Sequence, residues 1–104
     1  MSAFRIQTAA RARLAEILAY GKQQWGRAAA EEYVRGLFDE FQLIADRKAL
    51  WRTIPAESEV DGFYRRYKHH YIYFRELTGG DVGIATVLHE RIHLGTRLRE
   101  DVAS

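Results

Sequence analysis

The string His89-Glu90-Arg91-Ile92-His93 fits the pattern H-E-x-x-H. On a helix that spacing stacks two imidazoles on adjacent turns, where both can hold one Zn²⁺ while the Glu activates its water. The setting argues against that chemistry. The string follows an alternating β-pattern directly, and Gly95 comes two residues after it. If the strand simply continued, His89 and His93 would stand on the order of 13 Å apart. No later His, Glu or Asp has the helical context of a third ligand, so we expect no metal and no cofactor. The plainer reading is a strand end carrying polar side chains. A second chemical feature is the stretch 62–75, which holds Arg65, Arg66, Lys68 and Arg75 and no acid. Such a patch could meet RNA, DNA or an acidic protein segment, or be a solvated strand face.

The whole chain limits how far either feature can be pressed. It has 104 residues, 16 Lys+Arg, 14 Asp+Glu and four His, a formal net charge of +2. That is too small to argue for nucleic-acid binding by itself. Thirteen of the 16 basic residues are Arg, which favours planar, bidentate contacts over diffuse charge. Residues 1–61 are neutral overall, and 62–104 carry the net +2 and every His. The length fits one domain, 1–104, with a core that buries roughly two-thirds of the unfolded surface. Zero Cys excludes a disulfide scaffold, a Cys-ligated zinc ribbon and a thiol nucleophile. No apolar run approaches ~18 residues, so no membrane span or membrane partner is expected. The N-terminus lacks a signal-peptide core, and the expected location is cytoplasmic.

Periodicity supplies the elements that must position these groups. Phe4 and Ile6 alternate with polar neighbours as a short strand, and Thr8 offers an N-cap. Leu14, Ile17, Leu18, Gly21 and Trp25 mark one face of a helix that Gly26 breaks. A second helix carries Ala30, Tyr33, Val34, Leu37, Phe38, Phe41, Ile44 and Ala45 on a wide apolar face, which suggests a helical hairpin against a flat surface. From Lys48 to Asp61 the pattern reads as loop. Phe63–Tyr67 is then a strand, Lys68-His69 a tight turn, and His70–Arg75 the next strand. Its His70, Ile72 and Phe74 face one way and Tyr71, Tyr73 and Arg75 the other. Thr78-Gly79-Gly80-Asp81 signals a hairpin, and Val82–Leu88, apolar on both faces, a central strand. The tail from Arg91 reads as a short helix or an arm. The order β-α-α-β-β-β predicts an α+β domain with the helical hairpin packed on one face of a mainly antiparallel, four-stranded sheet.

Several of these segments resemble the RelE/ParE superfamily of toxins. The likeness is carried by Trp25-Gly26 leading into Ala30-Glu31-Glu32-Tyr33, by Leu43 to Arg52, and by Gly62 to Arg66. His69 to Arg75 and Val87-Leu88-His89-Glu90-Arg91 continue it, and the last is similar to the family's usual I-L-H-x-R-M ending. Lys48 stands where Pro is common in the family, which would let the second helix run longer; Ile92 replaces Met and keeps its apolar role. The resemblance implies the toxin of a type II toxin–antitoxin module, neutralised by a small cognate antitoxin. ParE members are associated with poisoning of DNA gyrase, which traps DNA breaks. RelE members share the fold and cleave mRNA on the ribosome.

The residues lean toward the ParE side of that choice. Cleavage through the 2′-OH needs a base, an acid and cations at one phosphate. Arg65, His89, Arg91 and His93 are the candidates for such a nuclease, but no Tyr follows Tyr73 to act near the C-terminus. We therefore expect a gyrase inhibitor with no catalytic residues, with Arg91, Arg97 and Arg99 as target-binding groups and no direct DNA binding by the toxin alone. For the antitoxin, apolar and aromatic contacts are expected at Leu14, Leu18, Trp51, Tyr71 and Tyr73, with an acidic stretch meeting Arg65, Arg66 and Arg75. The alternatives are a RelE-type endoribonuclease or a non-toxic interaction domain.

Overall fold

A computed structural model describes residues 3–92 and 94–103. Strand β1 (Phe4–Ile6) leads into helices α1 (Thr8–Trp25) and α2 (Arg27–Ala45). After a two-residue strand β2 (Arg52–Thr53) and a 3₁₀ turn (Ala56–Ser58) come β3 (Phe63–Tyr67), β4 (His70–Glu76), β5 (Val82–His89) and α3 (Leu94–Ala103). The sheet has five strands in the order β1-β5-β4-β3-β2. β1 runs parallel to β5 and the other pairs are antiparallel. The class is α+β, as the periodicity predicts. The extra strand is β2, whose exposed Arg52 and Thr53 carry no alternating apolar signal to betray it.

The helical hairpin forms because its two apolar stripes close over one face of the sheet. Leu14, Leu37, Phe41 and Ile44 meet Ile72, Phe74, Val82, Ile84 and Val87 in the main core. Each such side chain contributes roughly 1.5–3 kcal/mol when buried. Gly26 joins the helices at φ 93°, ψ 162°, a conformation that only glycine adopts without strain. Thr8 is the first helical residue and not the cap; Gln7 holds that position, with no side-chain cap bond. Lys48 does not extend α2. The helix ends at Ala45 in a Schellman motif, with Arg47 left-handed at φ 56°. There the Arg47 N–H donates to the Ile44 carbonyl at 3.1 Å and the Lys48 N–H to the Leu43 carbonyl at 2.9 Å. The Arg47 guanidinium then reaches the Ala45 carbonyl, the Gly80 carbonyl and Glu76, tying α2 to the β4–β5 turn.

The tail is a helix and not a free arm. α3 crosses the second face of the sheet, where Leu98 packs with Ile54, Tyr73 and Leu88. Arg75 donates to the Val102 carbonyl at 3.2 Å and so serves the C-terminal end of α3. The sheet is thus covered on both sides, which explains why β5 is apolar on both.

Close approach of the two long helices depends on Gly21. A Cβ there would stand 2.9 Å from the Cβ of Ala30 and 3.2 Å from the Trp25 ring. Gly21→Ala should therefore destabilise the fold by about 1–2 kcal/mol in urea unfolding, despite Ala's higher helix propensity. A stabilised variant would show that the helices have room to separate.

Candidate functional site

The β3–β4 turn and the end of β5 are drawn together by the ladder. His70 pairs with His89 across the strands, and the Glu90 N–H donates to the His69 carbonyl at 2.9 Å. This places Arg66, Lys68, His69, His70, His89, Glu90 and Arg91 at one end of the sheet. Glu90 accepts from His69 Nδ1 at 2.9 Å and pairs with Arg66. The His69 bond, then the charge of Arg66, hold the Glu90 carboxyl below its usual range. Lys68 lies in the turn at φ 51°, its ammonium 5.7 Å from the Tyr33 ring and 5.4 Å from the Tyr67 ring.

Against this end of the sheet the hairpin leaves a cleft of about 250 Å³. Ile17, Tyr20, Trp25 and Tyr33 form its helical wall, and His69, His70 and His89 its sheet wall. Tyr20 and Trp25 are 60% and 48% exposed, so apolar surface continues outward from the cleft. At its base Tyr33 Oη lies 2.7 Å from His70 Nδ1 and accepts from the His69 N–H at 3.4 Å. Because the phenol oxygen already accepts, we assign its O–H as the donor to His70, whose Nε2 then carries the ring proton. Burial, with the neighbouring His89 and His69 adding, pushes the His70 pKa down to about 4. Burial likewise raises the Tyr33 phenol.

A family model described as "ParE toxin of type II toxin-antitoxin system, parDE" matches residues 4–94. The chain belongs to the ParE toxin family. Two curated relatives agree. "Toxin ParE" of Escherichia coli is 28% identical over 96% of this chain and 96% of its own length. "Toxin ParE1" of Caulobacter vibrioides is 34% identical over 91% of this chain and 100% of its own. A solved structure titled "Chromosomal ParDE TA system from P. aeruginosa" superposes with a TM-score of 0.64 at 19% identity. It covers 86% of this chain and 96% of that one, and it supports the fold.

Within this ParE fold the expected site residues separate. Arg65 and Arg66 are neighbours on β3, so they point to opposite faces. Arg65 pairs with Glu40 of α2 at 2.7 Å, whereas Arg66 lies over Tyr71 on the other side. With Arg75 committed to Val102, the three arginines do not form one patch for an acidic segment. Leu14 is buried in the main core, and Tyr73 is buried beneath α3 with its pKa pushed up to about 12 by burial. Neither offers a surface contact. Trp51 packs on Phe63 and Phe74 and donates its indole N–H to the Ile44 carbonyl at 3.0 Å, so it too serves the core. Leu18 and Tyr71 are half-buried.

The nuclease candidates are no better gathered. Arg65 and His89 lie two strands and two residues apart, on the order of 12 Å between backbone positions. His93 lies outside the described residues. Residues 89–92 form a strand end and a turn, not the helix that the zinc motif requires. Arg91, Arg97 and Arg99 are all exposed but do not share a face. Arg97 acts on Asp101 and Arg99 reaches toward Ser58, because residues two apart on a helix diverge. Sequence reasoning missed Tyr33 as a cleft residue; it sits on the apolar stripe of α2 and reads as core.

The His70 shift has a sign that can be tested. An unfolded imidazole takes up its proton near pH 6.5, so between about pH 6.5 and 4 the unfolded chain binds more protons. Stability from this group is complete above that window and is lost as pH falls through it. In urea unfolding, His70→Asn should flatten the pH dependence between 6.5 and 4.5. A slope equal to that of the wild type would assign the acid sensitivity to another group.

Proposed function

We propose that residues 1–104 act in the cytoplasm as a single toxin domain that poisons DNA gyrase, and that a cognate antitoxin neutralises it. Family membership makes the chain a ParE toxin of a type II system. What supports an inhibitory binder over a nuclease is the pairing on the sheet. Arg65 is held by Glu40, Arg66 and His69 by Glu90, and His70 by Tyr33, so these groups brace one another and do not converge on one reacting phosphate. The contact surfaces in this reading are the outward residues of α3, with Arg97 and Arg99, and the exposed Arg91.

For the antitoxin, the exposed Tyr20 and Trp25 beside the cleft are apolar surface of the kind that an amphipathic segment covers. The half-buried Leu18, two turns before Trp25 on α1, remains available to such a segment. Tyr71 faces the α3 side of the sheet and would need a separate contact.

Expression of the chain alone in a bacterial host should halt growth, induce the SOS response and leave gyrase trapped on cleaved DNA. Cut ribosome-bound messages with intact DNA would replace this reading by the nuclease. Unharmed cells would leave an interaction domain. Arg97→Gln with Arg99→Gln should lower toxicity at least tenfold, scored by survival on induction, with a cooperative urea transition retained. Full toxicity would remove α3 from the target surface.

A further inference from the structure

The sheet wall of the cleft holds two hydrogen-bond donors that the protein itself does not use. They belong to His70 and His89, whose ring centroids lie 5.1 Å apart with the planes perpendicular. The bonds at Nδ1 decide both tautomers. His70 Nδ1 accepts from the Tyr33 hydroxyl at 2.7 Å, and His89 Nδ1 accepts from the Arg91 N–H at 3.1 Å. Each neutral ring is therefore assigned its proton on Nε2. Neither Nε2–H meets a hydrogen-bond acceptor among the described residues. His70 is only 7% exposed, so its donor has little access to water and calls for a partner.

The rest of the lining is apolar and held in shape. Trp25 stands between Tyr20 and Tyr33, at centroid distances of 6.3 and 5.6 Å, and Gly21 lets its ring lie close against α1. Ile17 and Val87 add aliphatic surface. A cavity of roughly 150 Å³ holds one benzene. At about 250 Å³ this cleft has room for one or two fused rings. The surrounding charge disfavours an anion. The Arg13 guanidinium in the lining is committed to Asp101 and Glu16, each at 2.9 Å, and Glu16 itself stands in the wall. Burial pushes the His70 pKa down to about 4, so that ring lends no charge near neutral pH. A carboxylate entering here would lose water without gaining a counter-ion. A carbonyl oxygen has two lone pairs and needs only N–H donors.

We propose that the cleft is a binding site for a small neutral aromatic molecule that bears a carbonyl oxygen. Its rings lie against Trp25 and Tyr33, and its oxygen accepts from the Nε2–H groups of His70 and His89.

Indole-3-carboxamide and indole test this directly, since they share their rings and differ in the carbonyl group. Each is titrated into the purified full chain at neutral pH and followed by ¹H–¹⁵N NMR. Saturable shifts should centre on the Trp25 indole N–H and on the backbone amides of Tyr33, His70 and His89. The carboxamide should bind at least ~10-fold more tightly than indole, and indole-3-carboxylate no more tightly than indole. His89→Phe keeps a planar ring without the donor and should reduce the carboxamide preference to about threefold. Trp25→Ala, at a half-exposed position, should weaken both indoles alike, by at least ~5-fold. Equal affinity for indole and its carboxamide would overturn the proposal, as would tighter binding of the carboxylate. So would an unchanged preference in His89→Phe, shifts centred on Tyr64 and Tyr71 in the groove beside α3, or no saturable shifts at all.

Discussion

The arrangement depends on one ion pair that joins three elements. Arg13 of α1 presents Nε and Nη2 to the two oxygens of Asp101 in α3 at 2.9 and 3.0 Å, and the Thr86 hydroxyl of β5 donates to the same carboxylate at 2.8 Å. Asp101 is only 8% exposed. A buried carboxylate costs several kcal/mol unless it is paired, and removing one partner of such a pair costs about 3–5 kcal/mol. Burial works against the charged form, but hydrogen bonds from Arg13 and Thr86 outweigh it and hold the Asp101 pKa low. The bond to Asp101, with a second to Glu16, raises the pKa of Arg13. The link forms here for a topological reason. β1 pairs with β5 only along Val82–Ile84, so past Ile84 no strand lies between the hairpin side and the α3 side. Arg13 reaches Asp101 where that strand is missing.

This link decides what the rest of the surface can be. With α3 docked, Tyr73 and Leu88 are core, Arg75 serves the α3 terminus, and Arg97 and Arg99 stand on different sides of a fixed helix. With α3 free, the same residues would form an exposed tyrosine face and a mobile basic arm. The sequence alone permits both. The far end of the sheet depends on α3 less. Its cations are held by Glu90, by the Lys68 carbonyl and by the rings of Tyr33 and Tyr67, all supplied by the hairpin and the sheet.

What was legible in the sequence follows from which forces leave a periodic trace. The faces of β4, the central position of β5, the break at Gly26 and the turn at Gly79-Gly80 all emerge from spacing, because burial on one face imposes a period. β2 leaves none: both its residues are exposed, and backbone pairing alone makes it a strand. Asp101 and Arg13 are 88 residues apart, and nothing local marks either as a buried ion. The candidate site was half legible. Its histidines and arginines are visible as residue types, but the strand period separates Arg65 from Arg66, and nothing local shows that α3 covers Tyr73.

The docking of α3 by Asp101 is the central claim, and native-state hydrogen exchange on Asp101→Asn addresses it most directly. The account predicts that backbone amides across α3 lose at least ~100-fold in protection while those of β4 and α2 keep most of theirs. Unchanged protection of α3 would contradict it, since the helix would then be held by Leu98 and its neighbours without the ion pair.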